Sequence, residues 1–212
     1  MNERPGLVVL ISGRGSNLRA LAEAIRQGRL RATLAAVISN RADAPGLAFA
    51  AEQGIPTRVI SHVGLSRAEH SAALLGAVRP YEPRMICLAG FMRLLAPSFT
   101  QAFAHRIVNI HPSLLPAFPG LDAQRQALDY GVKVSGCTVH LVDEELDHGP
   151  IVMQSAVPVL DDDTPETLAT RILAAEHKTY PAAIERLLHE PWTLEGRRVV
   201  FQSSQGQSSQ GT

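Results

Sequence analysis

The sequence is short of several things that a protein can be organised around. Its 212 residues include two cysteines, Cys87 and Cys137, which lie far apart and form no Cys-x-x-Cys pair. That excludes a disulfide framework and a thiolate metal site, and both thiols, set in apolar stretches, read as buried. No sign of charge is in excess, since 20 Lys and Arg stand against 20 Asp and Glu. A broad basic face for nucleic acid is therefore not expected. No apolar run approaches the ~20 residues of a membrane-spanning helix. The opening Met1 to Gly6 has no basic head leading into a signal-like segment, so a soluble, cytoplasmic protein without a membrane partner is expected. What the chain does have is 45% hydrophobic against 19% charged residues, enough apolar material for a core. The length suits one domain.

Short aliphatic runs alternate with helical patterns through the first half, the rhythm of strand-helix-strand units and a parallel sheet. Strands are expected at 7–12, 34–39, 57–60, 84–89 and 106–110. Helices at 17–27, 44–53 and 66–79 should lie on the sheet. Two further strands, 135–142 and 151–159, are joined by a loop rather than a helix, which predicts a mixed far edge. A long helix should run from Thr164, where Thr-Pro-Glu offers an N-cap and a first-turn proline, to about His189, with a kink at Pro181. The fold class is thus an open, mostly parallel α/β sheet over residues 1–200. The polar repeat in 201–212 reads as a disordered tail without chemistry.

In open parallel sheets ligands gather at the carboxyl ends of strands, so the segments following strands are the ones to inspect. Ser12-Gly13-Arg14-Gly15-Ser16-Asn17 ends a strand and opens a helix, where backbone N–H groups can turn toward an anion. Position 18 is Leu18 rather than a third glycine, and Asn40 stands where a dinucleotide site would carry an acid. A phosphomonoester cradle and a plain capped turn both remain open. Asn109-Ile110-His111-Pro112 follows another strand, and strand alternation puts Asn109 and His111 on one face. An amide donor beside an imidazole suits a carbonyl oxygen gathering charge, while a histidine simply hydrogen-bonded at a strand end suits the pattern equally. Asp143 to Pro150 carries four acids among five residues. It is either a solvated turn or the source of a carboxylate, Asp147, that would orient His111 and favour its cation. Phe91 to Leu95 reads as core or as a ligand wall.

Taken together, the segments Ile11 to Leu18, Ala89 to Leu95, Asn109 to Pro116 and Glu145 to Pro150 make the sequence resemble the phosphoribosylglycinamide formyltransferases. These are folate-dependent enzymes that formylate glycinamide ribonucleotide in purine synthesis. The Asn109 to Pro116 element is shared with methionyl-tRNA formyltransferases and formyltetrahydrofolate hydrolases, and the Gly13 to Asn17 turn separates the branches. The resemblance implies a Rossmann-like formyltransferase fold with helices on both faces of the sheet. It implies 10-formyltetrahydrofolate as co-substrate, glycinamide ribonucleotide as acceptor, no metal and no nucleic acid, in a monomer or homodimer.

Carried over by position, the resemblance makes Asn109, His111 and Asp147 catalytic and gives His140 a supporting role. Gly15, Ser16 and Asn17 would hold the phosphate and Glu176 the ribose. Folate would lie along Met92, Arg93, Leu94 and Leu95, against Asn109 and across Asp143, Glu144, Glu145, Leu146 and Asp147, with Arg67 at its benzoyl-glutamate end. Three positions depart from the pattern: Asp122 and Gln124 replace histidines found in many relatives, and His148 replaces a small residue. His62, His70, His105 and His189 are expected on the surface. The rival readings are a formyl-folate hydrolase or another formyl-folate transferase, a zinc enzyme using His111, His140 and Asp147, and a non-catalytic nucleotide-binding module.

Overall fold

The computed structural model describes residues 4–202. Its elements in chain order begin with β1 (Gly6–Ile11), α1 (Ser16–Arg26), β2 (Thr33–Ser39), α2 (Pro45–Glu52), β3 (Thr57–Val59) and α3 (Arg67–Val78). After a single 3-10 turn come β4 (Met85–Leu88), α4 (Pro97–Ala102), β5 (Ile107–His111) and α5 (Ala123–Tyr130). The chain then forms β6 (Val134–Leu141), β7 (Ile151–Pro158), α6 (Pro165–His189), β8 (Trp192–Glu195) and β9 (Arg198–Phe201). All nine strands join one sheet in the order β3-β2-β1-β4-β5-β6-β7-β9-β8. Strands β1 to β5 pair in parallel, whereas β5 with β6, and β6 with β7, are antiparallel. This is the mixed edge expected from the loop joining β6 to β7.

Alternation along β1 explains the layers. Leu7, Val9 and Ile11 point to one face, where they meet Leu18 and Leu21 of α1 and Leu168, Ile172 and Tyr180 of α6. Val8 and Leu10 point to the other, against Leu74 and Val78 of α3 and Phe99 of α4. Burial on both faces is why these strands read as unbroken aliphatic runs rather than as alternating ones. Helix α6 starts at a reciprocal cap between Thr164 and Thr167, has Pro165 in its first turn and continues through Pro181 to His189.

The hairpin β8–β9 and the short helices α4 and α5 add to the expected elements. Phe201, assigned to the tail by composition, instead closes β9, where it pairs with Trp192. The rest of the expected tail, from 203 onward, lies outside the described residues. No helix among the described residues is long and apolar enough to cross a membrane.

Candidate active site

The chain order β2-β1-β4 reverses direction between β1 and β4, so the loops leaving these two neighbouring strands diverge and open a crevice at their carboxyl ends. Ser12 joins the two loops. Its Oγ donates to Asn40 Oδ1 at 2.6 Å and accepts from the Met92 backbone N–H at 2.8 Å, while its own N–H reaches the Gly90 carbonyl. One buried hydroxyl thereby fixes the turn after β1 against the loop after β4. Sequence pattern alone does not single out Ser12 or Asn40 for this role. Their signal was the missing acid at position 40, whose amide now serves as the serine's acceptor.

The turn itself is backed by α2. Gly15 takes the left-handed conformation, φ 71, and its Cα lies so near Gly46 that a Cβ on Gly46 would meet it at 3.3 Å and Ile11 Cδ1 at 2.6 Å. Helix α1 then begins without a side-chain cap, leaving its first-turn N–H groups for another acceptor. The Asn17 side chain is turned to the protein, its Nδ2 donating to Glu176 Oε2 at 2.7 Å. Glu176 is buried, and burial raises its carboxyl pKa while the Asn17 bond opposes that shift. Asn17 Oδ1 is also buried and without a partner.

Strand register supplies the centre. In the β5–β6 pair Asn109 lies opposite His140 and His111 opposite Thr138. Asn109 Nδ2 accordingly donates to His140 Nε2 at 3.2 Å, and His140 Nδ1 donates to the Leu141 carbonyl at 2.9 Å. Burial holds the His140 pKa below the usual imidazole value, which keeps Nε2 an acceptor for the amide. One Asn109 N–H is thus committed and the second is available.

His111 is 5% exposed. Its Nε2 donates to the Phe118 carbonyl at 2.9 Å, and its Nδ1 lies 3.3 Å from Asp147 Oδ2. Both ring nitrogens therefore face acceptors, which a neutral ring satisfies at one edge and an imidazolium at both. Asp147 Oδ2 also accepts from the Gly120 N–H at 2.8 Å, and Oδ1 stands 3.8 Å from His140 Nε2. Phe118 and Gly120 act through backbone atoms of the turn after Pro116. Thr138 pins that segment, since its Oγ1 donates to the Ser113 carbonyl and accepts from the Leu115 N–H.

The cleft beside these groups measures about 560 Å³ and is bounded by Gly90 to Leu94, Asn109 to Pro112, Gly120 to Asp122, Gln124, Leu146 and Asp147. Of the open alternatives for Phe91 to Leu95, both apply: Phe91 and Leu95 are buried, whereas Met92 and Leu94 are 63% and 50% exposed on the wall. A smaller recess alongside adds Arg67, His140 and Asp143 to Glu145. Arg67 folds onto the Leu95 carbonyl there.

Asp122 and Gln124 stand on the cleft rim. His148 turns away, toward Asp143 and Arg197. The expectation that His70 is a surface residue is wrong. It is 2% exposed, bonded to the Ile60 carbonyl and stacked on Phe91, because its helix turns it under the loop after β4. His62 is half-buried beside Asn40, while His105 and His189 are exposed. Among the described residues no group of three or more His, Cys, Asp or Glu is disposed to hold a metal ion.

Residues 6–184 match the family described as formyl transferase. The phosphoribosylglycinamide formyltransferase of Escherichia coli is 43% identical over 199 residues, covering 93% of this chain and 91% of that protein. The glycinamide ribonucleotide transformylase 1 structure from Symbiobacterium toebii superposes with a TM-score of 0.92 at 48% identity, covering 96% of each chain. The human trifunctional purine biosynthetic protein adenosine-3 is 48% identical over 180 residues, which are 84% of this chain but 18% of that protein.

Proposed function

The chain belongs to the formyl transferase family, and from that premise we propose that it transfers a formyl group from 10-formyltetrahydrofolate to the amine of glycinamide ribonucleotide. The observation that carries the reading is the meeting of Asn109, His111 and Asp147 at one cleft, with Ser12 linking that cleft to the uncapped α1 terminus.

The residues present fit both substrates. The N–H groups at Gly15, Ser16 and Asn17 meet the phosphate, and Glu176, which has one donor at 2.7 Å, accepts from the ribose hydroxyls. Met92, Leu94 and Leu146 offer exposed apolar surface to the flat ring of the folate. The backbone at Arg93 and Leu95 and the Asp143 to Glu145 segment read its polar edges. Arg67 supplies charge for its glutamate end. Formyl-folate brings an activated formyl group, and no nucleophile from the protein is needed.

Attack by the amine gathers negative charge on the formyl oxygen. The free N–H of Asn109 donates to that oxygen. His111 is held at Nε2 by Phe118, so Nδ1 is its working atom. The 3.3 Å approach to Asp147 is longer than the ~2.7–2.9 Å of a strong charge-assisted bond, which leaves the Nδ1 edge of the ring room to be shared with the oxyanion. Asp147 orients the His111 ring and takes part in moving the amine proton to the departing nitrogen. His140 positions Asn109. One oxyanion donor contributes about 2.7–4 kcal/mol and proton transfer a factor of about 10² to 10⁴. Alignment of two bound reactants contributes up to ~7–11 kcal/mol, the larger share.

The substrates are soluble small molecules, and we assign the activity to the cytoplasm, in a monomer or homodimer that light scattering distinguishes. The test is to follow deformylation of 10-formyltetrahydrofolate by absorbance with and without glycinamide ribonucleotide. Absorbance should change when the acceptor is present, with formylated ribonucleotide as product. Formate released without the acceptor would favour the hydrolase reading instead.

A further inference from the structure

The segment from Val142 to Pro150 carries Asp147 between two strands and has no regular structure of its own. Asp147 sits at φ 49, in the left-handed region, a conformation that survives in a non-glycine residue when its surroundings over-determine it. From the inside the segment is held by the Gly120 N–H on Asp147 Oδ2 and by Gly149, where an added Cβ would fall 1.8 Å from the Leu141 carbonyl oxygen. From the outside it is met by the turn of the β8–β9 hairpin.

Arg197 stands at the tip of that turn. Its Nη2 donates to the His148 carbonyl, and its Nη1 lies 3.0 Å from His148 Nε2. At the ring edge, His148 Nδ1 is 3.0 Å from Asp143 Oδ2, and Asp143 Oδ1 accepts from the Glu145 N–H at 3.0 Å. Because Nη1 is also 3.3 Å from Nδ1, the guanidinium lies across the imidazole ring rather than in line with one nitrogen. The hairpin is anchored independently of the segment. Trp192 Nε1 donates to the Leu187 carbonyl of α6, and Arg186 of α6 covers the Phe201 ring at 3.8 Å. Next to Arg197, Arg198 pairs with Ile151, just past the end of the segment.

We propose that Arg197 is a positioning residue for formyl transfer. Through His148 it clamps the Asp143 to His148 segment against the hairpin and so keeps Asp147 aimed at His111 and the wall of the folate-side recess in place. The kinetic part of this proposal rests on the formyl-transfer reading above. An exposed polar contact alone would contribute little. What distinguishes this one is the planar guanidinium, whose Nη2 bonds a backbone carbonyl while Nη1 lies against the imidazole ring, a two-point contact that an ammonium does not make.

The test uses the full chain with Arg197→Ala, Arg197→Lys, His148→Ala and the Arg197→Ala/His148→Ala double variant. For an exposed contact, Arg197→Ala should raise the KM for the formyl donor and lower kcat by about threefold to tenfold each, with the KM for the ribonucleotide and the Tm unchanged. Arg197→Lys should recover part of the loss through the carbonyl bond. The double variant should be no worse than the weaker single one, as expected of residues acting as one unit. Amide exchange over Glu144 to His148 should quicken in Arg197→Ala while the sheet is unaffected. Wild-type kinetics and exchange in Arg197→Ala, additive losses in the double variant, or a lowered Tm with uniform faster exchange would overturn the proposal. If the wild-type chain transferred no formyl group, the function reading would fail, and the exchange comparison would still decide the clamp.

Discussion

Replacing Glu176 with glutamine should make the protein more stable and a poorer enzyme. Glu176 is 6% exposed, and its carboxylate receives one protein hydrogen bond, from Asn17 Nδ2. Asn17 Oδ1 is buried and unpartnered. A glutamine keeps an oxygen for Asn17 Nδ2 and adds an Nε2–H for Oδ1, pairing the two amides reciprocally. An unsatisfied buried acceptor costs roughly 1–3 kcal/mol, so a gain of this order is expected, at ~2–4 °C in Tm per kcal/mol for a chain of this size.

The sign with pH follows from the raised pKa. Because the folded value lies above the ordinary 4.5, folding favours the protonated acid, and Glu176's contribution is complete below that value and lost as pH rises through the folded one. The advantage of glutamine should thus be small in mild acid and grow toward neutral pH. Calorimetry across that range measures it. Steady-state kinetics should meanwhile show a higher KM for the ribonucleotide, since an amide N–H would now face ribose hydroxyls. A stabilised but impaired variant is the usual mark of a buried charge kept for a ligand. A lower Tm near neutral pH, or a difference that does not vary with pH, would refute the reasoning.

Three other outcomes test separate parts of the account. Asp147→Asn preserves shape but removes the counter-charge of His111, so kcat should fall by about 10² to 10⁴ with the ribonucleotide KM nearly unchanged, as read by steady-state assay. Gly15→Val puts a β-branched side chain at φ 71, where a Cβ already meets Gly46 Cα at 3.1 Å. It should raise the ribonucleotide KM by about tenfold or more while the formyl-donor KM holds, since strain of ~1–3 kcal/mol is concentrated at the turn. Burial pushes Cys87 up to about 12 and Cys137 up to about 11. A thiol reagent should accordingly find neither in the native protein and both after denaturation.

Much of the frame is legible in the sequence because the physics behind it is local. The aliphatic runs of β1, β2, β4 and β5 announce strands buried on both faces, and the 3.6-residue spacing in α1 and α3 announces their helices. Asn109 and His111 share a face by alternation alone. What escaped pattern reading depends on contacts between distant segments. The pairing of Asn109 with His140 is a matter of register between β5 and β6. The joining of two loops by Ser12 needs a hydroxyl, an amide and a backbone N–H drawn from three elements. His70 is buried by the loop after β4 rather than by its own helix pattern. The hairpin β8–β9 is half-exposed, so its polar faces mute the alternation, and its tie to His148 is invisible until the chain has folded.

In the proposed reaction Asn109, His111 and Asp147 surround one reacting carbon. The most direct measurement is a crystal structure of the protein with glycinamide ribonucleotide and a folate analogue carrying a stable carbonyl substituent in place of the formyl group. The carbonyl oxygen should lie within ~3–3.5 Å of Asn109 Nδ2 and His111 Nδ1, with the phosphate on the N–H groups of Gly15 to Asn17. A carbonyl held outside the cleft, or a phosphate bound elsewhere, would contradict this placement.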